Sequence, residues 1–362
     1  MNASQQALLR LHLTPGLGRI ALFKLHQYFK NFSAALHAPP QHWREAGLTE
    51  KLCNKVPAEN GQKFQQICHK LESQQVRLIS FWDDNYPSLL REIHDPPALL
   101  YLRGALPVND CFAIVGSRRA TSAGLTLTRE LATTLAHHDI CIVSGLARGV
   151  DSAAHRGALD AKGATIAVLG CGIDRIYPPE NSQLFLEIQQ ANAIITEYPP
   201  ETPPLAGHFP GRNRIISGLS RGVLIVEAAE KSGSLITGDF ALEQGRELFA
   251  IPGALHNPNS KGTNRLLKEG AQLVTEAEDI LQVLWPNHPT KQEKRQCSNF
   301  SEQLEEPALS VFQILGHEPR HSDEIARECG LTPMELSAIL LDLELRGGIQ
   351  TLPGNHYIRG QL

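Results

Sequence analysis

The stretch Cys111-Phe112-Ala113-Ile114-Val115-Gly116-Ser117-Arg118-Arg119, followed by Ala120-Thr121-Ser122, decides the fold. Its five apolar residues without a polar break suit a strand buried on both faces, and the glycine turn leads to a hydroxyl residue fit to cap a helix. The same grammar recurs at 140–143, 165–169, 193–196, 223–226, 248–251 and 272–274, with helical stretches between. Continuous apolar strands separated by helices make a parallel sheet covered on both sides. The expected fold class is therefore α/β, a doubly wound Rossmann-like parallel sheet over 111–285.

Outward from that domain the pattern changes. Over 1–77 apolar residues recur at helical spacing (Leu8, Leu9, Leu11, Leu13; Ile20, Leu22, Phe23, Leu25), with the turn Pro15-Gly16-Leu17-Gly18 between two helices. Residues 78–110 read as a connector rich in turn formers and aromatics. Residues 286–307, with Lys291, Glu293, Lys294 and Arg295, read as a polar linker. Over 308–362, Asp323-Glu324 opens a helix, Gly330 turns the chain, and Leu336, Leu340 and Leu343 give the next helix its apolar face. Gly347-Gly348 and Pro353-Gly354-Asn355 then punctuate two short strands, the order of a winged helix-turn-helix.

The chain of 362 residues is 42% hydrophobic, enough for a large buried core. No run of 18 or more apolar residues suggests a membrane helix, and Met1 to Arg10 lacks an export pattern, so a cytoplasmic protein without membrane contact is expected. The seven cysteines never form C-x-x-C, and Cys111, Cys141 and Cys171 sit in or beside strand-like runs. Reduced thiols, no disulfide frame and no metal site follow. Net charge is −4, so a whole-surface attraction to nucleic acid is excluded. Positive charge must be focused in one place.

Ligands of open parallel sheets bind outside the carboxyl ends of the strands. Each such end here carries a distinctive loop: Gly116-Ser117-Arg118-Arg119 after the first strand, Ser144-Gly145 through Arg148-Gly149 after the second, and Gly170-Cys171-Gly172 with Arg175 after the third. The fourth leads to Phe209-Pro210-Gly211-Arg212-Asn213-Arg214, and the fifth to Glu227 and Lys231-Ser232-Gly233-Ser234. Glycines let a backbone approach phosphate, helix N-termini offer free N–H groups, and arginines add bidentate charge. Arg118, Arg119, Arg148, Arg175, Arg212, Arg214 and Lys231 thus form one expected cationic edge. A dinucleotide does not fit: the first turn is not G-x-G-x-x-G, no acidic residue ends the second strand, and there is no Walker sequence. No cofactor is expected. A polymer of phosphates fits better, with Phe209 either a base-stacking platform or a buried loop anchor.

These motifs resemble the DNA-processing protein A (DprA, or Smf) family: G-S-R-R, the run Ser144 to His155, the run Phe209 to Ile216, and Lys231 to Thr237. The resemblance covers roughly 80–285 strongly, and the order of flanking domains also fits. It implies a non-enzymatic protein of natural transformation that binds incoming single-stranded DNA, protects it, and loads the RecA recombinase past single-strand-binding protein. It implies a homodimer through the later part of the sheet, around 262–274, with Leu266, Leu267 and Leu273 as apolar contacts. It places the family's DNA-contacting arginine on Arg118 and its base-contacting phenylalanine on Phe209. Two family lysine positions hold Pro179 and Ala206 here, so part of the cationic track is missing.

The flanking domains add less. Pro15-Gly16-Leu17-Gly18 resembles a helix-hairpin-helix turn; a plain tight turn is preferred, and the family resemblance implies a sterile-alpha-motif-like helical domain. The expected recognition helix carries Glu335, Asp342 and Glu344, which repel phosphate, so the winged helix reads as an accessory or partner-binding module. The alternative function is a nucleotide-phosphate-handling enzyme of phosphoribohydrolase type. Lys231 to Phe240 lacks the glutamate which that class requires, and Cys171 has no histidine partner.

Overall fold

The computed structural model describes residues 2–286, 304–316 and 319–359. The sheet starts earlier than the sequence suggested. β1 (Arg77–Ser80) and β2 (Leu99–Gly104) lie in the segment read as a connector, and they pair antiparallel. Each is an apolar run no shorter than most of the expected strands, but it lies among aromatics and prolines that favour the reading of a turn-rich connector. The expected strands follow as β3 (Cys111–Val115), β4 (Cys141–Ser144), β5 (Thr165–Val168), β6 (Ala193–Thr196), β7 (Gly222–Ile225), β8 (Glu247–Ala250) and β9 (Gln272–Leu273).

The sheet order is β1-β2-β6-β5-β4-β3-β7-β8-β9. From β6 to β9 every neighbouring pair is parallel, while β2 joins β6 antiparallel. The chain moves outward from β3 to β6 and then returns to place β7 on the other side of β3. That reversal is the topological switch point, where a crevice opens at the carboxyl edge.

Helices α1 (Ala3–His12), α2 (Arg19–Phe29), α3 (Phe32–His37), α4 (Pro40–Glu45) and α5 (Gln62–Ser73) precede the sheet. The helices α6 (Ser88–Arg91), α7 (Ser122–His137), α8 (Val150–Asp160), α9 (Ser182–Ala191), α10 (His208–Gly218), α11 (Gly233–Glu243), α12 (Lys261–Lys268) and α13 (Ala277–Leu284) are threaded between strands and after them. The N-terminal helices are not a free-standing lobe. Leu8, Leu11, Leu22 and Trp43 share one core with Leu99, Tyr101, Ala167 and Ile194, while Leu100, Leu102, Val143 and Ile195 belong to the core on the other face. Alternation along β2 thus feeds two cores from one strand. The Tyr101 hydroxyl lies 3.1 Å from His12 Nδ1, and the Lys70 ammonium sits 2.8 Å from Asp174 and 3.2 Å from Glu201. Residues up to Leu284 form one compact unit and those from Trp285 a second.

The second unit has helices Ala308–Ile314, Ser322–Cys329 and Pro333–Leu345 with strands Arg320–His321, Ile349–Leu352 and His356–Arg359 in one small sheet. This is the winged-helix order. Its core is Val311, Phe312, Ile325, Leu336, Leu340, Leu343 and Ile349. Thr332 and Glu335 form a capping box at the start of the third helix, and Gly330 ends the second at φ 65°. Most of the expected linker, 287–303, lies outside the described residues. Among the described residues no helix is long and apolar enough to cross a membrane, and no group of metal-ligating side chains gathers.

His155 of α8 is fully buried; its Nδ1 lies 2.7 Å from Thr165 Oγ1, and its Nε2 finds no hydrogen-bond partner among the described residues. Burial, reinforced by Arg212, pushes its pKa down to about 3. The unfolded chain takes up a proton below pH ~6.5 and the folded chain does not, so stability is lost as pH falls from that value. Between pH 7 and pH 5 this histidine removes about 2 kcal/mol of unfolding free energy. Chemical denaturation of His155→Asn at both pH values is expected to show a drop smaller by that amount.

Candidate nucleic-acid interface

An open groove of about 800 Å³ lies at the switch point, lined by Gly116 to Arg119, Tyr177, Ala206, Phe209, Asn213 and Lys231 to Ser234. Its walls are the loops that follow β3, β4, β5, β6 and β7.

The β3 loop is braced from β7. The Glu227 carboxylate accepts the Thr121 amide at 3.1 Å and the Thr121 hydroxyl at 2.5 Å, and Asn259 Nδ2 donates to it at 3.3 Å. The same Asn259 amide reaches the Arg119 carbonyl at 3.0 Å. Thr121 in turn caps α7 by accepting from the Gly124 amide. The β4 loop is braced by Asp151, whose Oδ2 accepts the amides of Gly145 at 3.1 Å and Ala147 at 3.3 Å. Burial pushes the Asp151 carboxyl up, and Arg212, the Ala147 amide and Arg118 pull it down. The two loops touch: Val150 N–H donates to the Ser117 carbonyl at 3.2 Å. Gly149 stands at φ 74°, and a Cβ there would lie 2.2 Å from that carbonyl. Only glycine permits this contact.

At the centre the Arg118 guanidinium lies 5.3 Å from the centroid of the Phe209 ring, and Tyr177 packs on Phe209 at 5.6 Å with a 32° tilt. Phe209 is half-buried at the start of α10, so it is anchored on one side and open to the groove on the other. Arg118, Arg119 and Lys231 are exposed, and none makes an ion pair among the described residues.

The other expected cations are placed differently. Arg212 is 4% exposed; its Nη1 donates to the Gly145 carbonyl at 2.6 Å and to the Val168 carbonyl. A Cβ on Gly145 would fall 2.4 Å from that guanidinium, so this glycine makes room for arginine and not for phosphate. Arg214 is 6% exposed, with Nε 2.9 Å from Asp95 and Nη2 2.5 Å from Glu197. Arg148 pairs with Glu180 at the rim of a narrower recess that continues the groove. Arg175 donates to the Glu201 carbonyl at 3.1 Å and does not line the groove. Ser144 is buried and donates to the Ile114 carbonyl at 2.7 Å, tying β4 to β3. Asn213, Ser232, Gly233 and Ser234 do line the groove, with Ser232 capping α11. Ala206 lines it without charge, and Pro179 is exposed beside Glu180.

Sequence spacing therefore located the loops but over-counted their free cations. It also missed Tyr177 and the part that two carboxylates, Asp151 and Glu227, play in holding the loops. Cys171 is buried, and burial pushes its thiol up to about 11, which removes it as a nucleophile. Of the leucines expected at a dimer contact, Leu266 packs into the protein's own core, Leu267 is half-buried, and Leu273 is exposed on β9.

A family model described as DNA recombination-mediator protein A matches residues 77–285, and one described as the DprA winged helix domain matches 300–355. The chain belongs to this DprA family. Protein Smf of Escherichia coli K12 is 40% identical over 322 residues, covering 87% of this chain and 86% of that one. DNA processing protein DprA of Streptococcus pneumoniae R6 is 45% identical over 212 residues, 58% of this chain and 75% of its own length. The solved Streptococcus pneumoniae DprA superposes with a TM-score of 0.66 at 36% identity, covering 78% of this chain and 98% of that one. A Helicobacter pylori DNA processing protein A, reported for a unique single-stranded DNA binding mode, gives 0.54 at 35% identity over 59% of this chain and 97% of that one.

Buried and exposed arginines of the site are expected to behave differently on substitution. Arg214→Met leaves Asp95 and Glu197 without their counter-charge and is expected to destabilise the protein by about 3 kcal/mol in chemical denaturation. Arg118→Ala touches only the groove face and is expected to leave the same unfolding curve in place.

Proposed function

We infer that this protein binds single-stranded DNA in the switch-point groove and serves as a recombination mediator. The observation that carries the reading is the Arg118–Phe209 pair, a cation and an aromatic face presented together at the mouth of loops built from glycine and helix N-termini. Phosphate is met by Arg118, Arg119 and Lys231 beside the close-approaching turns at 116–118 and 232–233. An unpaired base stacks on Phe209, worth roughly 1–3 kcal/mol, which a duplex with its bases already stacked cannot offer. The Helicobacter pylori relative's reported binding of single strands supports the same use of this fold. The site performs binding and needs no turnover, cofactor or metal.

In the cell this reading makes the protein a cytoplasmic guardian of incoming single strands during natural transformation. It hands them to RecA in place of single-strand-binding protein, and it acts as a homodimer whose contact includes the exposed Leu273 of β9.

Fluorescence anisotropy with labelled oligo-dT tests the reading. Three free cations on the groove predict a slope of log affinity against log salt of about −2. Phe209→Ala and Arg118→Ala are each expected to weaken binding by about tenfold or more, with single strands preferred over duplex in the unaltered protein. Equal affinity for duplex and single strand, or an Arg118→Ala variant that binds as well as the parent, overturns it.

A further inference from the structure

The third helix of the C-terminal unit, Pro333–Leu345, stands where a winged helix normally reads DNA, and it is apolar on two opposite sides. Leu336, Leu340 and Leu343 fill the core of the unit. Facing away from that core, Met334 is 86% exposed, Leu341 58% and Leu345 79%, with Ala338 exposed between them. At 3.6 residues per turn these four positions fall within roughly 60° of arc and form one aliphatic stripe along the helix. A helix with apolar side chains all round is normally covered all round. Water-facing stripes of this kind mark protein contacts.

Charge narrows what covers it. Glu335 and Asp342 follow one border of the stripe, where Arg346 pairs with Asp342 at 3.0 Å and leaves Glu335 unpaired by any cation among the described residues, and Glu344 follows the other. In the sequence 304–359 there are nine carboxylates, four arginines and no lysine. Phosphate is repelled by such a surface, which removes nucleic acid as the occupant. Two copies set stripe to stripe would bring carboxylates against carboxylates, which removes self-association. A complementary occupant has aliphatic side chains along its centre and cations along its edges.

We propose that the Met334–Ala338–Leu341–Leu345 stripe is a docking surface for a basic amphipathic helix of a partner protein, laid along the helix Pro333–Leu345. The aliphatic faces interlock, and lysines or arginines of the partner meet the glutamates at the borders. This use of the C-terminal unit is independent of the groove.

The test uses the full-length protein and two labelled helical peptides with leucines on one face, one with lysines and one with glutamates on the rest. The parent protein is expected to bind the leucine–lysine peptide saturably and the leucine–glutamate peptide at least about tenfold more weakly. Leu341→Glu with Leu345→Glu is expected to weaken lysine-peptide binding by about tenfold or more. Its melting curve and its oligo-dT affinity should both stay unchanged, because both residues are exposed. Leu341→Gln serves as a milder variant with the same expected direction should the double change disturb folding. Equal binding by parent and variants overturns the proposal, as does no saturable binding. Loss of self-association in the variants by sedimentation, or loss of duplex-DNA binding, also overturns it by assigning the stripe to a second copy or to nucleic acid.

Discussion

A buried guanidinium holds the carboxyl edge of this sheet together. Arg212 donates into the carbonyls of Gly145, just past the end of β4, and Val168, the last residue of β5, and its charge is balanced by Asp151 of the same loop region. A charge taken out of water is tolerated only when its hydrogen bonds are met and a counter-charge is near. Those conditions fix where α10 starts, and Phe209 lies one turn earlier on that helix. They also fix the β4 loop, because Asp151 accepts two of its amides. The groove is therefore shaped by a largely buried pair of opposite charges at its base.

This arrangement explains how an acidic protein can present a cationic site. Arginines near the switch point are split between two tasks. Arg212 and Arg214 are spent inside, where carbonyls or carboxylates absorb them, and Arg148 leans on Glu180 at the rim. Arg118, Arg119 and Lys231 stay outside. Pro179 and Ala206 add no charge beside the groove, so the outer set stays small. With so few free charges, the proposed contact with DNA would depend on shape and stacking as much as on Coulomb attraction and would weaken only gradually with salt.

Much of the architecture could be read in the chain. Strands buried on both faces announce themselves as unbroken apolar runs, and all seven expected strands form at those places. The winged helix was equally visible from its glycine punctuation. β1 and β2 were hidden because they stand among prolines, aromatics and turn formers and are not followed by the glycine loop and helix that mark the parallel strands. The site was legible only by location. Spacing shows that Arg212 and Arg214 are two residues apart on a helix; it does not show that Asp95, distant in sequence, waits for one of them, or that Gly145 clears space for the other. Which partner neutralises a charge is decided by tertiary contacts, and so are the tasks of Asp151, Glu227 and Tyr177.

The strand β2 serves two interiors, sending Leu99 and Tyr101 toward the N-terminal helices and Leu100 and Leu102 toward the opposite layer. Neither interior can loosen without disturbing the ribbon they have in common. Helical bundle and sheet consequently share a single calorimetric fate, disassembling in one concerted event on heating, whereas the winged module, with an interior of its own, is free to melt on a separate schedule.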